Sequence, residues 1–226
     1  MTSKIIVLRH GRTEGNKNRW FYGSTDLPLL EEGREEIIRK RKEGFYPGIP
    51  EDAGFFTTGL VRTDETLELV YGKHEATHID ELQEMKFGEY ECHNFDELKD
   101  DPVFTLWGYD EVGDVELPGG GSRNQFVRRI MAGYHRLMAM HNDRAEAAAL
   151  KGREAVDVLV CHGGVIGSIM QEIFPGERTS MWDWIPEPGC GYIWTVEDGR
   201  PVKYALIGEI MASYIEDAEQ DAGREA

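Results

Sequence analysis

Arg9, His10 and Gly11 stand directly after a run of four apolar residues, 5–8. A short apolar run rich in β-branched residues predicts a buried strand. A cation and an imidazole at the end of such a strand are compatible with a catalytic nucleophile, a metal ligand or an ordinary surface loop. The other polar residues of the chain have to distinguish these three alternatives.

Two further basic groups follow predicted strands in the same way. Arg62 falls in the first turn of the helix after the strand 54–58, and His162 follows another apolar strand. In parallel α/β sheets, sites lie beyond the carboxyl ends of the strands. We therefore expect both residues to converge with Arg9 and His10 at one edge of the sheet.

Such a cluster predicts a pocket for a compact multivalent anion, and phosphate is the natural ligand. Guanidinium groups match phosphate oxygens in bidentate fashion, and N–H groups at helix N-termini add oriented donors. Gly11, Gly163 and Gly164 would let the backbone approach the anion closely. One imidazole could then attack phosphorus, because nearby arginines favour its neutral form. Cationic and donor groups that hold the equatorial oxygens make a metal unnecessary, so we expect no metal and no cofactor.

The ordered motifs of the chain resemble those of the histidine phosphatase superfamily, also called phosphoglycerate mutase-like proteins. The resemblance spans Lys4 to about Ile207. It is carried by Leu8-Arg9-His10-Gly11 with Thr13 and Asn16, Tyr22-Gly23-Ser24-Thr25-Asp26-Leu27-Pro28-Leu29, Arg62, Glu84 with Phe87-Gly88-Glu89-Tyr90-Glu91, and Cys161-His162-Gly163-Gly164-Val165-Ile166.

The resemblance implies a role for each matched residue. His10 would accept the phosphoryl group and form a phosphohistidine. Glu84 would protonate the departing oxygen and then deprotonate water, as general acid and base in turn. The other matched residues would bind the phosphoryl oxygens, namely Arg9, Arg62, His162, Asn16 and the backbone at Gly163, or line the substrate side of the pocket, namely Tyr22 and Gly23.

Within the superfamily, the sequence favours a phosphatase over a mutase. The segment 85–91 resembles the phosphatase pattern of Phe-Gly, two residues, and Gly or a substitute. The stretch between Glu84 and His162 lacks the arginine-rich, proline-rich insertion of phosphoglycerate mutases. Two positions depart from the phosphatase pattern: Cys92 stands where Gly is common, and Gly121 stands where a Pro-Gly-Gly-Glu-Ser segment has Glu. These departures concern the lid and the substrate contacts.

The predicted function is metal-independent hydrolysis of a small phosphomonoester, a phosphorylated metabolite, through a phosphohistidine. One alternative is cofactor-dependent, phosphoglycerate mutase-type phosphoryl transfer. An alternative of another class is a non-catalytic module that binds a phosphate ester. A pure binding module needs no acid, so the presence of Glu84 together with His10 argues against it.

A second motif points to different chemistry. His74-Glu75-Ala76-Thr77-His78 fits the His-Glu-x-x-His pattern of zinc metalloproteases. That pattern needs a helix, so that both imidazoles share a face, and a third ligand further along. Gly72 ends the preceding helix, residues 76–79 are typical of an extended segment, and no third ligand follows at a suitable spacing. We therefore expect no zinc site here.

Alternating strands and helices have to position these residues. The predicted fold class is an α/β three-layer sandwich with a mostly parallel central sheet, helices on both faces and an antiparallel hairpin at one edge. Predicted strands are 5–8, 54–58, 76–79, 155–161 and the hairpin 191–196 with 202–207, which turns at Asp198-Gly199. Predicted helices are 30–43, one with Leu60, Thr63, Leu67 and Val70 on one face, one capped by Ser122, and 165–174.

The chain is predicted to form a single domain, 1–226, with an insertion or lid at about 85–121 that contains small helices. The residues at about 214–226 are polar and small, and they predict a solvated tail. The edge hairpin leaves room for pairing as a homodimer.

Composition limits the partners. The chain has 42 acidic and 25 basic side chains and a formal net charge of -17, which disfavours nucleic acid and anionic membranes. No apolar stretch approaches the roughly 20 residues of a membrane span or resembles a signal peptide. The cysteines, Cys92, Cys161 and Cys190, are scattered and odd in number, as expected for reduced thiols. We expect a cytoplasmic protein.

Overall fold

The computed structural model describes residues 2–208, and the predicted polar tail at about 214–226 lies outside them. The strands in chain order are β1 Thr2–Arg9, β2 Trp20–Phe21, β3 Gly54–Thr57, β4 Thr77–His78, β5 His93–Asn94, β6 Val156–Cys161, β7 Gly191–Glu197 and β8 Arg200–Leu206. Within the described residues, six of them form one sheet in the order β4-β3-β6-β1-β7-β8, and β2 pairs separately with β5. The strands β4, β3, β6 and β1 are parallel, and β7 and β8 run antiparallel. The predicted α/β sheet with an edge hairpin is confirmed.

The helices cover both faces of this sheet. They are α1 Glu14–Lys17, α2 Glu31–Lys42, α3 Val61–Tyr71, α4 Phe95–Leu98, α5 Pro102–Tyr109, α6 Arg123–Ala149 and α7 Gly163–Ile173. Successive residues of a strand point to opposite faces. Accordingly, Ile5 and Val7 belong to the apolar core that contains residues of α5, α6 and α7, whereas Ile6 and Leu8 belong to the core with residues of α2 and α3. Burial on both faces explains why the first strand is a continuous apolar run.

Most predicted elements lie where the sequence places them. The helix α6 begins after Ser122, whose side chain accepts a hydrogen bond from the Gln125 N–H as an N-cap. The hairpin turns at Asp198 and Gly199, which have φ of 48° and 79°. Both values lie in the left-handed region that two-residue hairpin turns require. Helix α7 begins at Gly163, two residues before the predicted start, because the extended His162 serves as its N-cap residue.

The insertion at about 85–121 contains the short helices that the sequence predicts there, α4 and α5. Its end packs back against its beginning. The Gly121 N–H donates to the Lys86 carbonyl at 3.2 Å, and the Glu89 N–H donates to the Pro118 carbonyl at 2.9 Å. A Cβ on Gly120 would lie 2.6 Å from the Lys86 carbonyl oxygen, so this close approach requires glycine. None of the helices among residues 2–208 combines the length and apolar character needed to span a bilayer.

A buried hydrogen-bonded chain ties α6 to the amino ends of β1 and β6. Ser3 Oγ lies 2.8 Å from His141 Nε2, and His141 Nδ1 lies 2.8 Å from an Asp157 carboxylate oxygen. The other Asp157 oxygen accepts hydrogen bonds from Arg144 Nε and the Gly54 N–H. Burial alone would raise the pKa of Asp157, but the hydrogen bonds from His141 and Arg144 outweigh it and hold the pKa below its usual range.

We expect Asp157→Asn to lower the free energy of unfolding by about 1–3 kcal/mol near neutral pH, because one buried charge-assisted hydrogen bond is lost. A carboxylate with a depressed pKa stabilises the fold above its unfolded pKa of about 3.9, and this contribution disappears as the pH falls through the folded value. The free energies of unfolding of the wild-type protein and of Asp157→Asn, measured by urea unfolding, should therefore converge in acid. Asp143→Asn, at an exposed carboxylate on α6, is the matched control. If the difference in the free energy of unfolding between the wild-type protein and Asp157→Asn did not change with pH, the stabilising role of the Asp157 carboxylate would be contradicted.

Candidate active site

His10 is held in one orientation at the carboxyl end of β1. Its backbone N–H donates to the Cys161 carbonyl at 2.9 Å, which continues the pairing with β6. Its side chain is 3% exposed, and Nδ1 lies 2.7 Å from the Gly11 carbonyl oxygen. A carbonyl can only accept, so Nδ1 carries the hydrogen and Nε2 keeps its lone pair. The imidazole is thereby prepared to act as a nucleophile through Nε2.

Arg62, in the first turn of α3, is completely buried, and it is held by neutral groups. Its two terminal nitrogens donate to the carbonyls of Gly23 at 2.9 Å and Thr25 at 3.0 Å. Its Nε lies 3.4 Å from Nδ1 of His162. The Asp26 carboxylate is 3.9 Å away and nearly half exposed. Arg62 therefore brings a positive charge into the protein and, among residues 2–208, forms no ion pair with a buried carboxylate.

His162 lies beside His10 at the end of β6, with the two ring centroids 5.3 Å apart. Its Nδ1 accepts from Arg62, so its Nε2 carries the hydrogen and donates to Thr58 Oγ1 at 2.9 Å. Both ring nitrogens thus have partners within the protein.

The environment keeps both imidazoles uncharged. Burial lowers the pKa of His10 well below its ordinary value, and the nearby charges of Arg62 and Arg9 lower it further. Burial and the Arg62 charge act on the pKa of His162 in the same direction. The neutral form is the one that can attack phosphorus.

Arg9 and Glu84 line the same cleft as His10. One terminal nitrogen of Arg9 donates to the Pro186 carbonyl at 2.8 Å, and its buried Nε has no hydrogen-bond partner among residues 2–208. The Glu84 carboxylate accepts from the Gly164 N–H at 2.9 Å and from the Met85 N–H at 2.9 Å. A Cβ on Gly164 would lie 2.6 Å from the carboxylate, so glycine permits this approach. The cleft therefore has a cation and a carboxyl group beside the His10 side chain.

The structure brings most of the predicted site residues to one cleft of about 400 Å³. His162 and Gly23 do not line it; both contact Arg62 instead. Within the described part of the chain, no group of three His, Cys, Asp or Glu side chains is placed to hold a metal ion, and Thr77–His78 is a strand, not part of a helix. The predicted residues that line the cleft are Arg9, His10, Asn16, Tyr22, Arg62, Glu84 and Gly163.

Asn16 and Tyr22 also have structural partners. The Asn16 side-chain oxygen accepts from the Thr13 N–H at 3.0 Å in a capping box of α1. The Tyr22 hydroxyl lies 2.6 Å from Thr13 Oγ1, and the Arg62 guanidinium lies 5.1 Å from the centre of the Tyr22 ring. Burial raises the pKa of Tyr22, so its hydroxyl stays protonated and available as a donor. These contacts hold one wall of the cleft in place.

Glu91 organises the site without lining it. Its carboxylate accepts from the N–H groups of Ser24 at 2.7 Å and Thr25 at 2.6 Å, and more weakly from Gly23 and Phe87. Burial would raise the pKa of Glu91, but the hydrogen bond from the Thr25 hydroxyl, together with those from the backbone N–H groups, holds it below its usual range. The loop that Glu91 fixes is the one whose carbonyls hold Arg62. The sequence did not indicate this role of Glu91. A carboxylate that binds backbone N–H groups of a distant segment leaves no recognisable pattern in the neighbouring sequence.

Arg129 is a second positioning residue that the sequence did not indicate. From α6, its guanidinium donates to the carbonyls of Glu81, Gln83 and Glu84, at 2.8, 2.8 and 2.9 Å. These three bonds fix the backbone that carries the Glu84 carboxylate. Arg129 is one of several basic residues on a long helix, and only its position over this segment distinguishes it.

The backbone at Cys92, which stands where Gly is common in the phosphatase pattern, has a conformation that suits glycine. Its φ is 62°, in the left-handed region that glycine adopts at no cost. Its N–H donates to the Phe21 carbonyl at 2.9 Å. The backbone therefore keeps the conformation that a glycine would have, and the departure is confined to the side chain.

Comparison with known proteins gives the same assignment as the motifs. The model of the histidine phosphatase superfamily (branch 1) matches residues 5–206. A 2,3-bisphosphoglycerate-dependent phosphoglycerate mutase of Rhizobium etli is 26% identical over 187 residues, which are 80% of this chain and 83% of that protein. The protein of the same name from Xanthobacter autotrophicus is 30% identical over 141 residues, 59% of this chain and 68% of that protein.

Solved structures of both a phosphatase and a mutase share the fold. The alpha-ribazole phosphatase of Shigella flexneri has a TM-score of 0.71 at 20% identity, covering 90% of this chain and 96% of that one. The phosphoglycerate mutase of Thermus thermophilus has a TM-score of 0.60 at 26% identity, covering 90% and 98%.

We expect Glu91→Gln to lower kcat/KM for a phosphomonoester by about 10- to 100-fold, the effect of losing charge-assisted hydrogen bonds that hold the loop of Arg62. Inhibition by inorganic phosphate should weaken in parallel, because the same loop sets the phosphate pocket. Glu89→Gln, at an exposed carboxylate in the same segment, is the matched control. Equal kinetics for the two variants would contradict a positioning role for Glu91.

We expect His10 to remain neutral at about pH 6, below the ordinary histidine pKa of about 6.5, and to carry its hydrogen on Nδ1. NMR of the imidazole nitrogens, assigned with His10→Gln, measures both properties. The unfolded chain binds protons below that pKa while the folded site does not, so His10 and His162 reduce stability as the pH falls through this window. If the NMR titration of His10 had its midpoint at or above the ordinary histidine pKa, the pocket would not suppress protonation of His10.

Proposed function

Because the chain belongs to the histidine phosphatase superfamily, we propose that it is a metal-independent phosphomonoester hydrolase that works through a phosphohistidine on His10. One observation carries the proposal. The Gly11 carbonyl fixes the hydrogen on Nδ1, so that the neutral imidazole keeps a lone pair on Nε2 in the cleft that Arg9, Arg62 and Glu84 also line. Phosphoryl transfer needs such a positioned nucleophile and a positive surrounding for the equatorial oxygens.

In the first step, His10 Nε2 attacks phosphorus, and the bond from phosphorus to the ester oxygen breaks. Arg9 and Arg62 hold the phosphoryl oxygens, and the unpartnered Arg9 Nε and the N–H groups at the start of α7 add donors. Glu84, in its protonated form, gives a proton to the departing oxygen, and the alcohol leaves. The products of this step are the free alcohol, a phosphohistidine and a Glu84 carboxylate.

In the second step, Glu84 removes a proton from a water molecule that attacks phosphorus. The bond between phosphorus and Nε2 breaks, inorganic phosphate is released, and His10 and protonated Glu84 are restored. The hydrogen bonds from Gly164 and Met85 hold the Glu84 carboxylate in the cleft for both proton transfers.

A phosphoglycerate mutase activity is the second candidate, and the names of the Rhizobium and Xanthobacter relatives favour it. A mutase must hold the carboxylate of a phosphoglycerate and return the phosphoryl group to it. In the cleft of residues 2–208, apolar side chains predominate, and a phosphoglycerate has no apolar group for them to bury. This lining supports hydrolysis of another ester. A non-catalytic binding module would have no use for a carboxyl group held as Glu84 is.

We expect His10→Ala to lower turnover of an aryl phosphate by at least about 1000-fold, since the nucleophile is removed. Substrate labelled in the phosphoryl group should leave acid-labile label on the wild-type protein and none on the variant. EDTA should leave the wild-type rate unchanged.

Two outcomes distinguish the alternatives. Interconversion of phosphoglycerates faster than release of free phosphate would establish the mutase instead. Tight binding of phosphate esters without any turnover would establish the binding module.

A further inference from the structure

The cleft extends well beyond the groups that would hold a phosphoryl group, and its outer part is apolar. Its volume of about 400 Å³ is that of a site for a sizeable small molecule. The apolar part of the lining includes Phe21, Phe87, Trp107, Phe126, Met181 and Trp182.

The aromatic side chains form a continuous wall. The ring centroids of Phe21 and Phe87 are 5.4 Å apart, and those of Phe87 and Trp107 are 6.1 Å apart. At the rim, Trp182 is 66% exposed. Apolar surface that lines a cleft and remains exposed is typical of a site that buries an apolar ligand.

Arg123 supplies positive charge to the cleft in addition to that of Arg9 and Arg62. It is the first residue of α6 and lines the cleft, and its buried Nε has no hydrogen-bond partner among the described residues. The nearby Asp110 carboxylate is already occupied by the N–H groups of Val112 and Val115. A guanidinium group without a paired carboxylate is suited to bind an acidic group of a ligand.

We propose that the substrate is the phosphate ester of an aromatic or similarly flat, apolar alcohol that carries a second acidic group, with the apolar part against the aromatic wall and the acidic group on Arg123. This inference rests on the proposed function and specifies its substrate class. A small hydrophilic ester such as a phosphoglycerate would fill the phosphate pocket and leave the apolar wall in water, so it would gain little from this cleft.

The test compares esters that leave as similar primary alkoxides, so that differences in rate report binding by the cleft. We expect kcat/KM for naphthylethyl phosphate to exceed that for ethyl phosphate by about 10- to 100-fold, the gain from burying one aromatic group. Trp182→Ala should reduce this ratio. Tyr109→Ala removes an exposed aromatic side chain that does not line the cleft, and it should leave the ratio unchanged.

A third ester, with a carboxylate on the far ring of the naphthyl group, tests Arg123. We expect it to be preferred over naphthylethyl phosphate by about 10-fold, the value of a charge-assisted contact. Arg123→Met should remove that preference, while Arg128→Met, at an exposed arginine of the same helix, should retain it.

The outcomes separate this inference from the proposed function. Hydrolysis of ethyl and naphthylethyl phosphate with equal kcat/KM would overturn the inference and leave the proposed function standing. A preference for the carboxylated ester that survives Arg123→Met would overturn the assignment of Arg123. Absence of hydrolysis for every ester, aryl phosphates included, would overturn the proposed function and the inference with it.

Discussion

The site depends on a positive charge that is buried without an ion pair to a buried carboxylate among residues 2–208. Arg62 is inaccessible to solvent, and two carbonyls and a neutral imidazole bind its nitrogens. Removing a guanidinium from water costs several kcal/mol, which these hydrogen bonds offset without cancelling the charge. The protein as a whole has a formal net charge of -17, so binding of an anion depends on local positive charge such as that of Arg62. Burial and the charge of Arg62 both disfavour protonation of His10, and the proposed nucleophile and the proposed anion site are therefore one electrostatic arrangement.

Holding such a charge requires a rigid surrounding loop. The carbonyls of Gly23 and Thr25 point at Arg62 because the N–H groups of the same loop point at the Glu91 carboxylate. A carboxylate on one side and a guanidinium on the other therefore fix the peptide dipoles between them. Arg129 does the same for the segment of Glu84 by binding the carbonyl groups of Glu81, Gln83 and Glu84. Hydrogen bonds from two charged side chains, Glu91 and Arg129, to distant backbone segments thus set the positions of the proposed anion site and of the proposed acid.

The parts of the fold and of the candidate site that could be predicted are those encoded by local sequence patterns. The buried strand before His10 and the Asp198-Gly199 hairpin are encoded by neighbours in the sequence, and both are confirmed. Strands of two residues, such as β2 and β5, carry too few side chains to show a period. The roles of Glu91 and Arg129 arise from contacts between distant segments, which no spacing reveals. The convergence on one cleft was predictable because the carboxyl ends of parallel strands meet at one edge.

Position in the fold, more than residue type, distinguishes the histidine that we propose as the nucleophile. Ser3, His141 and Asp157 form a hydrogen-bonded series with the composition of a hydrolytic triad. Ser3 and Asp157 lie at the amino ends of β1 and β6, and His141 lies on α6. All three are buried, and none lines the candidate active-site cleft. A serine with no access to substrate cannot attack it, so this series connects α6 to the sheet. His10, at the opposite end of the same strand β1, faces an open cleft. One strand therefore has a structural contact at its start and the proposed nucleophile just past its end.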